Sequence, residues 1–264
     1  MIYVHATWRG ICRNRWQRRI KKLFGKLVVI DDLLDIPHYG DEIIDPNIRT
    51  PSEIDRYSAT LLESSSFHSG SDFLFIRESL KSYRQVAQQR MMDSAGVENV
   101  LVMFGGSDTN NLTKAAIDGC LKVNSVNLHV VLGLNNQNRE DLVATYSPDP
   151  RVTVYPFLQE PGEVMAICDI CVGALGTTTW ERCYLGLPSL VYTDQASQKK
   201  FIDHLSTEGM IINVGSVCSS DSVYSSLARY MENFSLHVSL RNRLFDFIDG
   251  NGVSNIKEKI YGIE

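Results

Sequence analysis

Short apolar runs alternate with stretches of helical periodicity along the chain, most regularly after residue 94. The apolar runs predict strands, and the segments between them, with apolar positions three or four residues apart, predict helices. Strands that alternate with helices are typical of a parallel sheet covered on both faces. We therefore predict an α/β protein in which 94–264 form a doubly wound parallel sheet. The predicted strands of this domain are NVLVMF, LHVVLG, RVTVYPF, DICVGAL, PSLVYT and MIINVG.

Residues 1–93 show the same alternation less completely. Three strands are predicted by LVVIDD (27–32), EIID (42–45) and DFLFIR (72–77), and ESLKSYRQVAQQRMM predicts a helix that ends this part of the chain. Three strands are fewer than a Rossmann-like domain usually has. We therefore predict a partial Rossmann-like domain over 1–93, followed by the complete domain over 94–264.

A basic stretch, Arg9–Lys26, contains eight lysines and arginines and no acidic residue. Its apolar residues have helical spacing, which predicts a helix with one apolar face and a solvated positive face. Attraction of an anionic substrate or partner is the alternative role for these charges. The predicted apolar face comprises Trp16, Ile20, Leu23, Phe24 and Leu27.

Composition and charge narrow the classes of function. Of the 264 residues, 44% are hydrophobic and 22% are charged, which is ordinary for a globular protein. The net charge of −5 argues against general nucleic-acid binding. No apolar run approaches the ~20 residues that cross a membrane, and no secretory leader is recognisable. We therefore expect a cytoplasmic protein with neither nucleic acid nor membrane as a partner.

The six cysteines do not form a disulfide or zinc framework. Cys168 and Cys171 have CxxC spacing, but they lie in a segment that is typical of a strand, where residues three apart face opposite sides. No second Cys or His pair follows at zinc-finger spacing. We predict buried thiols, and we expect no metal and no cofactor.

The two turns richest in glycine and hydroxyl groups are GGSDTN (105–110) and GALGTTTWE (173–181). They follow the first and fourth strands of the second domain, which flank the point where strand order usually reverses and ligands bind. Glycines allow a close approach of backbone N–H groups, and a helix start favours an anion. Threonines there can cap the helix and donate to phosphate. The candidate binding residues are Gly105, Gly106, Ser107, Asp108, Gly176, Thr177, Thr178 and Thr179.

Glu181 lies one turn into the helix that follows the second of these turns. A carboxylate there would repel a phosphate but would accept hydrogen bonds from the hydroxyls of a ribose. The alternative is that 177–181 is only a well-capped helix start. The sequence therefore predicts a nucleotide-sugar site with Glu181 at the ribose, and Asp194 and Gln195, after the fifth strand, at the same edge of the sheet.

At this point the sequence resembles a known family. The similar segments are VLVMFGGSDTNNLT, DICVGALGTTTWERCYLGLPSLVY, KLVVIDDLLDIPHYGDEIIDPN, SGSDFLFIRESL and DGNGVSNI. They resemble the UDP-sugar hydrolase of pseudaminic acid biosynthesis and its spore-coat polysaccharide relatives. The resemblance implies two domains of the glycosyltransferase-B type and hydrolysis of UDP-2,4-diacetamido-2,4,6-trideoxy-β-L-altropyranose to UDP and the free sugar. It also implies that Asp194 and Gln195 border the sugar or pyrophosphate; a plain loop with Asp194 as a helix cap is the alternative.

One motif of that family has no counterpart in the sequence. Family members open with a strand and a G-x-G-H-x-x-R loop whose histidine is thought to help activate water, whereas Val28–Asp32 corresponds to a later strand. By this resemblance, the start of the first domain is absent. Three alternatives are open: the gene product is truncated, a separate chain supplies the missing half-domain, or the protein binds its ligand without hydrolysing it. No catalytic residue carries over; His38, His68 and Asp108 are the first candidates for a replacement base.

The remaining histidines have a structural prediction. His129 lies in a predicted strand, and His204 and His237 lie in predicted helices, so each is expected to be a packing or solvated residue.

Three functional classes stay open. They are a UDP-sugar hydrolase, a glycosyltransferase that uses a UDP-sugar, and a nucleotide-sugar-binding protein without catalysis.

Overall fold

A computed structural model of the protein describes residues 2–5, 13–193 and 199–261, so Asp194 and Gln195 lie outside the described residues. The chain folds into two compact units. The first unit is Met1–Ile76 together with Ile248–Glu264, and the second unit is Arg77–Phe247. This division differs from the predicted boundary at residue 93, because the helix before residue 93 belongs to the second unit and the last helix returns to the first.

The first unit contains a four-stranded parallel sheet of order β1-β2-β3-β4. Both faces of this sheet are apolar: Leu27 and Ile43 pack in one cluster, and Val28 and Ile44 pack with the last helix in another. Its elements are β1 (Ile2–His5), α1 (Arg13–Lys21), β2 (Leu27–Ile30), β3 (Glu42–Ile44), α2 (Pro51–Ser58), β4 (Ser66–His68) and α11 (Gly252–Tyr261).

The predicted strand at 72–77 is wrong. The fourth strand is β4, and Ser71–Phe73 forms a 3-10 turn. Leu74 and Ile76 are nevertheless buried. A Cβ atom on Gly252 would come within 2.1 Å of the Leu74 carbonyl oxygen, so the start of α11 packs directly on this backbone. The apolar character of the run therefore reflects packing against a helix rather than strand pairing.

The predicted apolar face of the basic helix is only partly correct. The helix ends at Lys21, so Leu23 and Phe24 lie beyond it, and both are exposed. Leu27 is fully buried, but it is the first residue of β2. Strand β1 was not predicted.

The second unit contains a six-stranded parallel sheet of order β10-β9-β8-β5-β6-β7. The predicted strands of this domain are confirmed, and the order is that of a doubly wound sheet, with helices on both faces. The strands are β5 (Asn99–Met103), β6 (Asn127–Val131), β7 (Val152–Tyr155), β8 (Ile170–Ala174), β9 (Ser189–Tyr192) and β10 (Ile212–Asn213). The helices are α3 (Lys81–Asp93), α4 (Leu112–Cys120), α5 (Arg139–Tyr146), α6 (Gly162–Ile167), α7 (Thr178–Tyr184), α8 (Lys199–Thr207), α9 (Ser220–Met231) and α10 (Phe234–Phe247).

Apolar residues of the central strands form one core cluster with α4 and α9. Val100 and Val102 of β5 and Ile170 and Val172 of β8 are all fully buried in it. Strand β8 starts at Ile170, so Cys168 precedes the strand instead of lying in it. Cys168 and Cys171 are buried free thiols, as predicted, and burial raises the pKa of both.

None of the helices in the described ranges is long and apolar enough to cross a membrane. Within the same ranges, no group of three or more His, Cys, Asp or Glu side chains is arranged to hold a metal ion.

Candidate nucleotide-sugar site

The two glycine-rich turns start side by side at the centre of the second sheet. Strands β5 and β8 are neighbours, and Met103 pairs with Gly173 immediately before the turns leave the sheet. The order of the strands reverses here, because the chain proceeds outward from β5 through β6 to β7 and then returns to β8. The predicted juxtaposition of the turns at the switch point is therefore confirmed, and they share the edge where the strands end, here called the carboxyl edge.

The turn after β5 presents backbone donors. Gly105, Gly106 and Ser107 are exposed, and their N–H groups have no acceptor among the described residues. Gly105 has a φ of +80°, which a residue with a side chain rarely adopts. Successive N–H groups in such a turn form a concave surface that suits an anion.

Gly133, just after β6, packs closely against the carbonyl groups of this turn. A Cβ atom there would lie 2.2 Å from the carbonyl oxygen of Gly105 and 2.3 Å from that of Gly106. The N–H group of Asn135 also donates to the Gly106 carbonyl at 3.0 Å. The carbonyl groups of the turn therefore face the loop after β6, and the N–H groups are left for a ligand.

The side chain of Asp108 caps the helix that follows the turn. Its buried carboxylate accepts hydrogen bonds from the N–H groups of Leu112, at 2.8 Å, and Thr113, at 3.0 Å. These are first-turn donors of α4, which the sequence suggested would be available to an anion. The helix start is occupied by the protein's own carboxylate, so the donors at this turn are the backbone groups that precede it.

The turn after β8 contains one inward and two outward threonines. The hydroxyl of Thr179 is fully buried and accepts from the Gly176 N–H group and from Arg182 Nη2, each at 3.0 Å. Thr177 is exposed and Thr178 is half-buried, and neither caps the helix with its side chain. The N–H and hydroxyl groups of these two threonines have no partner within the described part of the chain. Thr177 and Thr178 therefore keep donors that none of the described residues uses.

Glu181, the predicted ribose ligand, is paired with Arg77. Arg77 donates from Nε to Oε1 at 2.5 Å and from Nη2 to Oε2 at 2.8 Å, while its Nη1 donates to the carbonyl of Gln159 at 2.9 Å. The hydrogen bond to Glu181 raises the pKa of Arg77. Glu181 is 6% exposed. Sequence reasoning missed Arg77, although it lies in SGSDFLFIRESL, one of the segments that carry the family resemblance.

Two exposed apolar side chains lie at the same carboxyl edge. Leu134 follows β6 and is 61% exposed, and Phe157 follows β7 and is 50% exposed. Large apolar side chains with this exposure gain free energy when a ligand covers them. They could not be separated from core residues by sequence, because both continue apolar strand runs.

The histidines proposed as replacement bases are engaged in the first unit. The Gln17 amide donates to His38 Nδ1 at 2.8 Å, and His38 Nε2 lies 2.8 Å from Asp31 Oδ2, with all three side chains buried. His68 Nε2 lies 2.7 Å from Glu42 Oε2. Both ring nitrogens of His38 therefore have partners inside the first unit.

The histidines of the second unit predicted to be structural pack as expected where the structure describes their partners. His129 stacks against Tyr155 and bonds to its hydroxyl at 3.1 Å, and burial lowers its pKa. His237 Nδ1 lies 2.6 Å from the Tyr230 hydroxyl. Burial, with the nearby positive charge of Arg241, lowers the pKa of His237 to about 4.

Two curated proteins are similar in sequence. An uncharacterized protein of Methanocaldococcus jannaschii is 25% identical over 198 residues, covering 71% of this chain and 40% of that protein. The spore coat polysaccharide biosynthesis protein SpsG of Bacillus subtilis is 21% identical over 194 residues, covering 72% of this chain and 56% of that protein. The chain thus spans about half the length of the curated relatives it matches. No protein-family model matches the sequence.

Solved structures of the glycosyltransferase-B fold are similar in architecture. The UDP-GlcNAc 2-epimerase of Neisseria meningitidis, solved with UDP-GlcNAc bound, has a TM-score of 0.64 at 15% identity and covers 92% of this chain and 71% of its own. This similarity shows the fold: the predicted α/β class of glycosyltransferase-B type is confirmed. The chain is thus distantly similar in sequence to SpsG and similar in fold to structures that include a UDP-GlcNAc 2-epimerase.

Proposed function

We propose that the second unit binds a UDP-sugar at the carboxyl edge of its sheet and that the protein hydrolyses it to UDP and the free sugar, as the resemblance to the pseudaminic acid pathway hydrolase implies. The observation that supports binding most directly is the pair of turns at the switch point. Between them, Gly105, Gly106, Ser107, Thr177 and Thr178 offer donors with no partner among the described residues. Donors of this kind suit a diphosphate.

The rest of the ligand has complementary groups at the same edge. The exposed side chains of Leu134 and Phe157 offer apolar surface to a base, and Glu181 offers carboxylate oxygens to ribose hydroxyls beside Arg77. In the proposed reaction, water attacks the anomeric carbon, the bond from that carbon to the diphosphate oxygen breaks, and the attacking water gives up a proton to the solvent. The electron pair leaves with UDP, whose added negative charge is stabilised by donors already in place.

Two glycines allow a test of binding that leaves the fold intact. A Cβ atom on Gly106 or Gly176 would have no neighbour within 4 Å, and neither residue has a positive φ, so alanine fits at both. The added methyl group would stand where the ligand approaches. Titration calorimetry with UDP should show that Gly106→Ala and Gly176→Ala each weaken binding about tenfold or more, which is ~1.4 kcal/mol.

The matched control is Gly96→Ala, since Gly96 also has open space around its Cβ position but precedes β5 at the opposite end of the strand. All three variants should melt at or slightly above the wild-type temperature, because alanine restricts the unfolded chain. Equal UDP affinity in the wild type and in all three variants would place the nucleotide elsewhere.

The reaction itself is tested by product analysis with a UDP-2,4-diacetamido-2,4,6-trideoxy sugar. Free sugar and UDP in the absence of an acceptor would establish hydrolysis. Products that appear only when an acceptor is added would establish the glycosyltransferase alternative. UDP-sugar binding with no product in either assay would establish the non-catalytic alternative.

A further inference from the structure

Arg182 lies under the turn after β8 and has no solvent exposure. Its Nη2 donates to the Ala174 carbonyl and to the Thr179 hydroxyl, each at 3.0 Å, and its Nη1 donates to the Cys171 sulfur at 3.5 Å. A guanidinium stays charged in a protein. A full positive charge is therefore buried directly beneath one of the two turns of the candidate site.

Among the residues that the structure describes, this charge has no carboxylate partner. No Asp or Glu oxygen within the described ranges forms an ion pair with Arg182, and its Nε has no acceptor there. The Cys171 thiol does not offset the charge, because burial raises its pKa and keeps it neutral. Arg241 is equally buried, but its Nη1 lies 3.6 Å from Asp169. Buried charges are normally paired, and a buried guanidinium without an anion costs free energy.

The guanidinium of Arg182 lies close to the start of both turns. A Cβ atom on Gly173 would lie 3.3 Å from Arg182 Nη1 and 2.2 Å from the Met103 carbonyl oxygen, so the charge lies where β5 and β8 end together. Thr179 accepts from both Arg182 and Gly176, and the Ala174 carbonyl is turned inward to the guanidinium. These bonds hold the inner side of the turn and leave Thr177 and Thr178 on its outer side.

We propose that Arg182 is a positioning residue for an anionic diphosphate: it fixes the β8 turn through Ala174 and Thr179 and supplies from below the positive charge that the bound anion balances. This inference rests on the proposed function, because the anion is the diphosphate of the UDP-sugar. A charge in the poorly polarisable interior is screened little by salt, so it acts on a ligand that it does not touch.

The experiment measures the affinities of UDP, uridine and inorganic pyrophosphate for the wild type, Arg182→Met and Arg182→Lys. Arg182→Met should weaken UDP and pyrophosphate tenfold or more and leave uridine within threefold. Its melting temperature should equal or exceed that of the wild type, since an unpaired buried charge is gone. Arg182→Lys retains the charge and should keep the ratio of UDP to uridine affinity within about threefold of the wild type. Arg241→Met is the matched control and should leave that ratio unchanged.

The outcomes separate the inference from the function on which it rests. Wild-type binding of UDP with an unchanged ratio in Arg182→Met overturns the inference and leaves the proposed function standing. Pyrophosphate binding that depends on Arg182, in a protein that does not bind UDP, supports the inference and overturns the proposed function. Binding of neither ligand overturns both. If Arg182→Met does not fold, Arg182→Lys decides, and a UDP-to-uridine ratio that falls to one overturns the inference.

Discussion

Arg77 and Glu181 are 104 positions apart in the sequence and form a two-point ion pair, with both carboxylate oxygens bonded to one guanidinium. The pair joins the first residue of the second unit to α7. Each carboxylate oxygen can still accept a further hydrogen bond, because an ionised carboxylate has about four acceptor positions. Pairing with Arg77 therefore orients Glu181 and is compatible with a ribose as an additional partner.

If Glu181 accepts ribose hydroxyls, its removal should matter only for ligands that have them. Glu181→Gln should weaken UDP about tenfold or more, since a hydrogen bond to a charged group is worth roughly 1.5–3 kcal/mol. The same variant should bind 2′,3′-dideoxy-UDP as the wild type does. Calorimetry with both ligands measures the two ratios.

Arg77→Met provides the control for that experiment, because it removes the partner and leaves the carboxylate. It should lower the melting temperature, since Glu181 would be buried without its cation. Equal losses for UDP and dideoxy-UDP in Glu181→Gln would contradict the ribose role and leave Glu181 as a structural partner of Arg77.

Phe157 should contribute to binding of the base. Phe157→Ala should weaken UDP by roughly 1–3 kcal/mol, the usual effect of removing an aromatic ring from a base, and should leave inorganic pyrophosphate unaffected. Tyr224→Ala is the matched control, because Tyr224 is a similarly exposed aromatic residue on α9. Fluorescence titration would measure the affinities of the wild type and of both variants. An unchanged UDP affinity in Phe157→Ala would show that this residue is not part of the site.

Asp108 should stabilise the fold more than it affects the ligand. Asp108→Ala removes the acceptor for Leu112 and Thr113 and should cost about 1–2 kcal/mol in free energy of unfolding. Asp108→Asn keeps one oxygen and tolerates the φ of +42° at this position, so it should lose less. Urea denaturation measures both. A large loss of UDP affinity in stable Asp108→Asn would instead indicate contact with the ligand.

His237 should make the second unit sensitive to mild acid. Its pKa is about 4 in the folded protein against 6.5 in an unperturbed histidine, so the unfolded state binds more protons between these values. The contribution of His237 to the free energy of unfolding is therefore fully present above about pH 6.5. It falls as the pH decreases toward 4, by about 3 kcal/mol in all.

The measurement is urea denaturation of the wild type and of His237→Gln at several pH values in this window. The wild type should lose more stability than the variant as pH falls, because the variant lacks the proton-binding group. If the free energy of unfolding changed with pH in the same way in the wild type and in His237→Gln, His237 would not be the source of the acid sensitivity.

Local patterns predicted the second unit well because each of its strands is a separate apolar run followed by a helix. The same reasoning failed at 72–77, where Leu74 and Ile76 are buried although they pair with no strand, and where the Leu74 backbone lies against a helix far along the chain. In the site, glycine and hydroxyl content located both turns. It did not reveal that Asp108 and Thr179 face inward, because the direction of a side chain depends on backbone angles and on partners such as Arg182 that composition does not show.

The return of α11 to the first unit has a consequence for synthesis on the ribosome. Val28 and Ile44 are translated before the second unit, but the residues that pack against them, Ile256 and Ile260, are translated after it. The second unit, Arg77–Phe247, is continuous and can complete its fold while the first still waits. The first unit therefore begins before the second unit but cannot be completed until after it, and a nascent chain exposes one apolar face of the β2–β3 sheet until α11 has been translated.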